Sequence, residues 1–252
     1  MRLNDTGDYP IDGFHSFDWD TRKWDNGQHL IAVGGFDGNH DDPGTPITVT
    51  VNNPVATRTT VAASRASISG TTSVAFTATV RKTLGNSLLA GRTVTFTGKT
   101  ESGSTIYLGT RTTNAYGTAR VTYALTQPTL VTDSTSGGGK YLSSSGKALV
   151  KGTSTAHLSV NRSSVSRYGS FAMTGRASPR RVRNMSLYYR CRPQTYWSWW
   201  LDRYTNASGV WRVTFSASRE SMTPGYLSLR FSVPATYWRY GATSNTVKIH
   251  IT

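Results

Sequence analysis

The 252-residue chain has a single cysteine, Cys191, which excludes an internal disulfide and a cysteine-rich zinc site. Helix formers such as Glu and Leu are scarce, and no stretch reaches the roughly 18 to 20 apolar residues that a membrane-crossing helix needs. The start, "MRLNDTGDYP", lacks the charged and then apolar plan of an export signal, so none is expected within the chain. Acidic residues are nearly missing after position 53, where only Glu101, Asp133, Asp202 and Glu220 occur. Such scarcity leaves the later chain without the paired carboxylates of glycoside hydrolysis. No GxSxG elbow, HExxH pair or phosphate-cradling glycine loop is present, and "SGGG" before Lys140 reads as a flexible linker. His15, His29, His40, His157 and His250 are scattered. No catalytic residue, cofactor or metal site is therefore expected.

What the chain does have is abundant Gly, Ser and Thr with 37% hydrophobic and 11% aromatic residues, a composition suited to an ordered β-rich protein. Charge is divided along it. Residues 1–53 carry nine Asp against three basic residues, whereas residues 54–252 carry twenty-five basic residues against four acidic ones. Segments this different are expected to be separate units, and the basic part should favour anionic partners: cell-wall polymers, acidic polysaccharide, a membrane surface or nucleic acid.

The chain also repeats itself. "TNAYGTARVTY" from Thr113 returns as "TNASGVWRVTF" from Thr205, an offset of 92, and "SRASISGTTSVAFTATV" from Ser64 matches "NRSSVSRYGSFAMTGRA" from Asn161 at an offset of 97. Tyr141 pairs loosely with Tyr240 at an offset of 99. Shared features in one order make a duplicated unit of roughly 95 to 100 residues, the size of a β-sandwich. Both copies show short runs that change side every residue: Leu227, Leu229, Phe231 and Val233 share one face, Ser228, Arg230 and Ser232 the other. Turn residues separate these runs about every ten positions, which predicts an all-β sandwich. Asn206 and Gly209, like Asn114 and Gly117, are expected to make a tight hairpin turn; the triplet Asn206, Ala207, Ser208 is read as part of that turn, not as a glycosylation site. After it, Trp211, Val213 and Phe215 should face a core, as Ala119, Val121 and Tyr123 do upstream.

Residues 1–53, with "HSFDWDTRKWDNGQHLIAVGGFDG" and "PITVTVNNP", supply about three strands, too few for a complete sandwich. The segments "FDWDT…NGQHLIAV", "TVAASRASISGTTSVAFTATVRKTLGNSLLAGRTVTFTGKTESG" and "RYGSFAMTGRASP…TNASGVWRVTF…YGATSNTVKI" resemble bacterial immunoglobulin-like repeats of secreted and cell-surface proteins. The resemblance implies tandem immunoglobulin-like β-sandwiches, the N-terminal one incomplete: a C-terminal half at 1–53, a sandwich at 54–152, and a Trp- and Arg-rich sandwich at 153–252. It also implies an extracellular or cell-surface setting, adjoining domains in a longer chain, and a non-enzymatic spacer or adhesive role. Its alternative is an accessory carbohydrate- or cell-wall-binding module of an extracellular hydrolase.

Candidate contacts concentrate in the last hundred residues. In "RASPRRVRNMSLYYRCR", Tyr188, Arg190 and Arg192 alternate with an apolar set that includes Cys191, so they should form an outward cationic aromatic surface, against the simpler reading of a solvated basic face. In "TYWSWWLDRY" and "PATYWRYGA", alternation prevents every ring from pointing inward, which singles out Trp199, Trp200 and Trp238 for stacking on sugars, where they could equally fill a core. The expected partner is cell-wall or extracellular polysaccharide, or another anionic surface; no nucleic-acid module is recognisable. In "FDGNHDDPG", Asp37, Asn39, Asp41 and Asp42 offer oxygen ligands of the kind Ca²⁺ takes, yet lack the distal bidentate Glu, so a polar turn is expected.

Overall fold

The computed structural model describes residues 18–32, 35–36, 41–42, 45–218, 220 and 222–252. Its chain divides into two compact units, one of residues 1–56 with 137–142 and one of residues 57–136 with 143–252. None of the described helices is long and apolar enough to cross a membrane.

In the smaller unit, strand β1 (Gly27–Ile31) is followed by β2 (Gly35–Phe36), β3 (Asp41–Asp42) and β4 (Ile47–Val51). β1 pairs antiparallel with β4, and β2 with β3. Trp19, Trp24 and His29 meet edge to face, with centroids 5.3 to 5.9 Å apart. Asn53 closes the segment by bonding the Asn26 side chain and the carbonyls of Thr21 and Trp24. The loop 137–142 joins this unit through Val55, whose N–H donates to Lys140 O and whose carbonyl accepts from Leu142 N. Asp37, Asn39, His15 and His40 lie outside the described residues.

The larger unit holds two sandwiches. The first is built from β5 (Thr57–Ala63), β6 (Ser67–Ile68), β7 (Thr72–Lys82), β8 (Thr93–Thr100), β9 (Thr105–Thr112), β10 (Thr118–Leu125), β11 (Thr129–Thr135) and β12 (Ser144–Gly152). The second contains β13 (Thr155–Val160), β14 (Ser164–Val165), β15 (Ser170–Ser178), β16 (Asn184–Cys191), β17 (Ser198–Tyr204), β18 (Val210–Ser216), β19 (Gly225–Val233), β20 (Ala242–Thr243) and β21 (Val247–Ile251). In the first, sheet β10-β7-β5 faces sheet β6-β12-β11-β8-β9; in the second, β13-β15-β18 faces β14-β21-β19-β16-β17, with β20 also on β19. Each time the first strand's continuation switches sheets, as β6 and β14, to pair parallel with the last strand.

Alternation builds both cores. Val74, Phe76, Ala78 and Val80 of β7 are sealed from solvent, as are Phe171 and Met173 of β15 and Leu229 and Phe231 of β19. Each fully buried aromatic or aliphatic side chain contributes about 1.5 to 3 kcal/mol of transfer free energy. Residues matched by the two offsets of the self-comparison pair alike in both copies. Thr77 lies opposite Arg120 between β7 and β10, and their counterparts Thr174 and Arg212 lie opposite each other between β15 and β18.

The repeated Thr-Asn phrase has a common build in both copies. Buried Thr113 donates its hydroxyl to Leu89 O (2.7 Å) and accepts from Arg92 N (2.8 Å); buried Thr205 donates to Arg181 O (2.6 Å) and accepts from Arg183 N (2.9 Å). Asn114 Oδ1 accepts from the N–H groups of Tyr116 and Thr118, and Asn206 Oδ1 from those of Ser208 and Val210. Gly117 and Gly209 take φ +64° and +71°, and an added Cβ would strike the carbonyls of Val80 and Ala177. The turn is therefore as expected, but the hairpin is not. β9 and β10, like β17 and β18, belong to opposite sheets, so the turn carries the chain across the sandwich. A tight reversal and a sheet crossing share their turn chemistry, which is why the phrase alone does not separate them.

Candidate functional site

Strand β16 lies between β17 and β19, and this places side chains from four strands in rows on one outward face. Trp199, Tyr188 and Arg230 occupy one row, and Arg190, Ser228 and Lys248 the next. Arg192 adjoins the third, where Tyr226 stands opposite His250. The guanidinium carbon of Arg230 sits 4.1 Å from the ring centre of Trp197, and that of Arg190 sits 4.9 Å from the same ring. Arg230 also approaches Tyr188 at 6.0 Å, and Arg192 approaches Tyr226 at 5.9 Å. Tyr226 stacks on His250 with centroids 4.7 Å apart. Beneath this layer Ser228 is buried although it points outward.

The sequence singled out Tyr188, Arg190 and Arg192 as one outward face and Trp199, Trp200 and Trp238 as rings for sugar contact, and the structure distributes these six residues over three places. Tyr188, Arg190, Arg192 and Trp199 share the face just described. Trp199 is 59% exposed, and its indole N–H donates to Asp202 Oδ1 at 3.2 Å. Trp200 turns inward: its ring lies 4.3 Å from Phe215 and 5.9 Å from Tyr189, against the core, and its N–H donates to Glu220 Oε2. The cause is a β-bulge. Leu187 pairs with Leu201 and Tyr188 with Trp199, so Trp200 is an extra residue directed to the interior. Trp238 sits in the loop between β19 and β20, half-buried, with its carbonyl accepting from Gly152 N at 2.9 Å. Trp200 therefore leaves the surface set and Trp238 lies apart from it at the junction, while Trp197, Arg230 and Tyr226 join it. The alternation of β19 already directed Arg230 outward, but only the pairing of β16 with β19 sets it beside Tyr188.

The first sandwich provides an internal comparison. Its bulge falls at the matching place, between Phe96 and Thr97, and its equivalent rows read Tyr107, Thr97, Thr132 and Lys147, and then Lys99, Leu130 and Leu149. On the same backbone, the second sandwich has Trp, Tyr and Arg in the first row and Arg, Ser and Lys in the second.

A second cluster joins the two sandwiches. Glu101 Oε1 accepts from Arg181 Nη2, and its Oε2 accepts from Arg239 Nε at 2.8 Å. Gly152 N donates to Trp238 O, Tyr240 N donates to Gly152 O, and Arg239 Nη1 reaches Thr153 O at 3.2 Å. Burial raises the Glu101 carboxyl, but the two arginines more than offset this and hold it below the usual range. Arg183, beside them, is pushed down to about 10, first by burial and then by repulsion from Arg181 and Arg239.

The four carboxylates after residue 53 are each engaged: Glu101 at the junction, Asp202 and Glu220 on the indoles of Trp199 and Trp200, and Asp133 in the first core. Asp133 is sealed from solvent, accepts from Gly146 N, and is raised by burial. Burial likewise raises the thiol of half-buried Cys191, which packs against the core as a small hydrophobe. A shallow depression beside Tyr123 and Gln127 and a smaller one beside Cys191 and Tyr226 hold no carboxylate or imidazole. No group of His, Cys, Asp and Glu that could hold a metal ion occurs among the described residues.

No protein-family model matches the chain, and no curated protein sequence matches it significantly. Among solved structures, it is similar to the Yersinia pseudotuberculosis adhesin InvE, at 16% identity and TM-score 0.39 over 77% of this chain and 58% of that one. It therefore spans a little over half the length of that structure. The Escherichia coli adhesin FdeC is similar at 12% identity and TM-score 0.34, over 89% of this chain and 74% of that one. Murine CEACAM1b is similar at 15% identity and TM-score 0.40, over 77% of this chain and all of that one. By its own strand order, with three strands facing five and the sheet-switching first strand repeated in each copy, residues 57–252 form a tandem pair of immunoglobulin-like β-sandwiches.

Proposed function

We propose that the chain is a non-enzymatic structural and adhesive module of a protein exposed outside a bacterial cell, one that holds neighbouring parts of its polypeptide at a fixed spacing. The observation that supports this reading is the junction. Only Thr153 and Ser154 separate β12 from β13, and the β19–β20 loop reaches back to bond Gly152, Thr153 and Glu101. A linker this short, clasped by an ion pair, restricts the relative motion that is the default for tandem domains. Engagement of every carboxylate after residue 53 in a structural contact supports a non-catalytic role, and the sequence resemblance to cell-surface repeats supports the extracellular setting.

Spin labels on Thr122→Cys and Thr214→Cys, equivalent exposed positions of the two sandwiches, test this in a Cys191→Ser background. Pulsed dipolar spectroscopy should give one narrow distance distribution, broadened by Glu101→Gln. A broad distribution in the parent would remove the fixed-spacing role.

A further inference from the structure

The outward face of the second sandwich does more than keep a module soluble. Guanidinium groups on a basic surface ordinarily sample many rotamers in water. Here Arg190 and Arg230 lie over one ring, Trp197, Arg190 Nη1 also reaches Thr195 O at 3.5 Å, and Arg192 lies near Tyr226, so three guanidinium groups gather around two rings. No carboxylate among the described residues lies within ion-pair distance of any of the three, or of Lys248. At the edge of the same face Trp199 remains exposed, its indole fixed by Asp202.

We propose that this face binds an acidic polysaccharide whose sugars carry carboxylates, a polyuronate. Charge complementarity and ring geometry argue for that occupant. A guanidinium over a ring can still present N–H groups at its edge, and such an edge matches a planar carboxylate bidentately. An exposed, fixed indole suits the apolar face of a sugar. A single-stranded nucleic acid would instead need several free rings for successive bases, whereas Trp197 is covered by two arginines and Tyr226 is stacked on His250. Because the guanidinium groups and the indole already rest on partners, less side-chain freedom is lost on binding. The equivalent rows of the first sandwich, with Thr97 and Thr132 in place of Tyr188 and Arg230, lack this layer. The binding role adds to the structural one and does not depend on it, since Glu101→Gln alters the junction and leaves the face intact.

The test is affinity electrophoresis of the full chain through gels holding polygalacturonate, dextran sulfate or neutral dextran, with a single-stranded deoxyoligonucleotide as competitor. Polygalacturonate should retard the chain most. Trp199→Ala should weaken retardation roughly tenfold, as loss of an anchoring aromatic does, and a triple variant, Arg190→Gln with Arg192→Gln and Arg230→Gln, should abolish it. A charge-matched triple variant on the first sandwich, Lys99→Gln with Arg120→Gln and Lys147→Gln, should keep nearly all of it. Equal loss in the two triple variants would reduce the effect to net charge and overturn the proposal. So would stronger binding to dextran sulfate, neutral dextran or the oligonucleotide. Should the first triple variant lose its thermal transition, Arg192→Gln alone decides, because Arg192 is exposed at the strand end: unchanged retardation overturns the proposal.

Discussion

Trp211 on β18 lies directly opposite Gly175 on β15, and its indole occupies the space that a Cβ on Gly175 would take. In the first sandwich the matching pair is Ala119 opposite Ala78. Two methyl groups have thus been replaced by one indole, which fits only because its partner has no side chain, with consequences for both residues. Gly175→Ala should destabilise the second sandwich by about 1 to 3 kcal/mol through overpacking. Trp211→Ala should cost about 3 to 5 kcal/mol by leaving a cavity. Because the residues touch, the double variant should be less destabilised than the sum, as read from denaturant midpoints of all four proteins.

Acid should loosen the junction. Glu101 titrates below its ordinary 4.5, so the contribution of its ion pairs is fully present above that value and is lost as pH falls through the lower folded value. Glu101→Gln should remove that acid-side loss and cost on the order of 2 kcal/mol at neutral pH, because Arg239 is left half-paired. Thermal melts at several pH values, with the label distances described above, check both effects.

Asp133 works in the opposite direction. Burial raises its carboxyl above the ordinary 3.8, so the folded state holds its proton more tightly than the unfolded chain. Stability from this group is present below 3.8 and is lost as pH rises through the raised folded value. Asp133→Asn keeps an oxygen for Gly146 N and removes the buried charge. It should stabilise the first sandwich at neutral pH by about 1 to 3 kcal/mol and flatten its pH profile.

The two buried threonines give a paired test. Thr113→Val and Thr205→Val each leave a backbone N–H and a carbonyl without the bridging hydroxyl. Each should cost about 1 to 3 kcal/mol. Hydrogen exchange should show faster exchange at the Arg92 N–H in one variant and at the Arg183 N–H in the other.

Much of this architecture is written in local patterns. Alternation in β19 sets Leu227, Leu229, Phe231 and Val233 inward, and the two repeat offsets match Thr77 with Thr174 and Arg120 with Arg212, residues that pair the same way in both copies. What escaped was whatever depends on an irregularity or on distant residues. Trp200 points inward because a bulge interrupts the period-two rule on which alternation rests. Trp238 lies at the junction because its loop meets Gly152, and Glu101 acquires Arg239 across 138 positions of sequence. Trp197 and Arg230 meet only once β17, β16 and β19 are laid side by side. The turn at Asn206 and Gly209 shows the same limit, since it fixes a change of direction but not the sheet that receives the next strand.

The bulges of β9 and β17 fall on the strands that end their sheets. An unpaired sheet margin offers a row of N–H and C=O groups to any neighbouring chain. An inserted residue breaks the regular spacing of those groups midway, so a foreign strand finds only short stretches in register. The irregularity that seats Leu108 and Trp200 thereby also guards these margins against strand pairing with another chain.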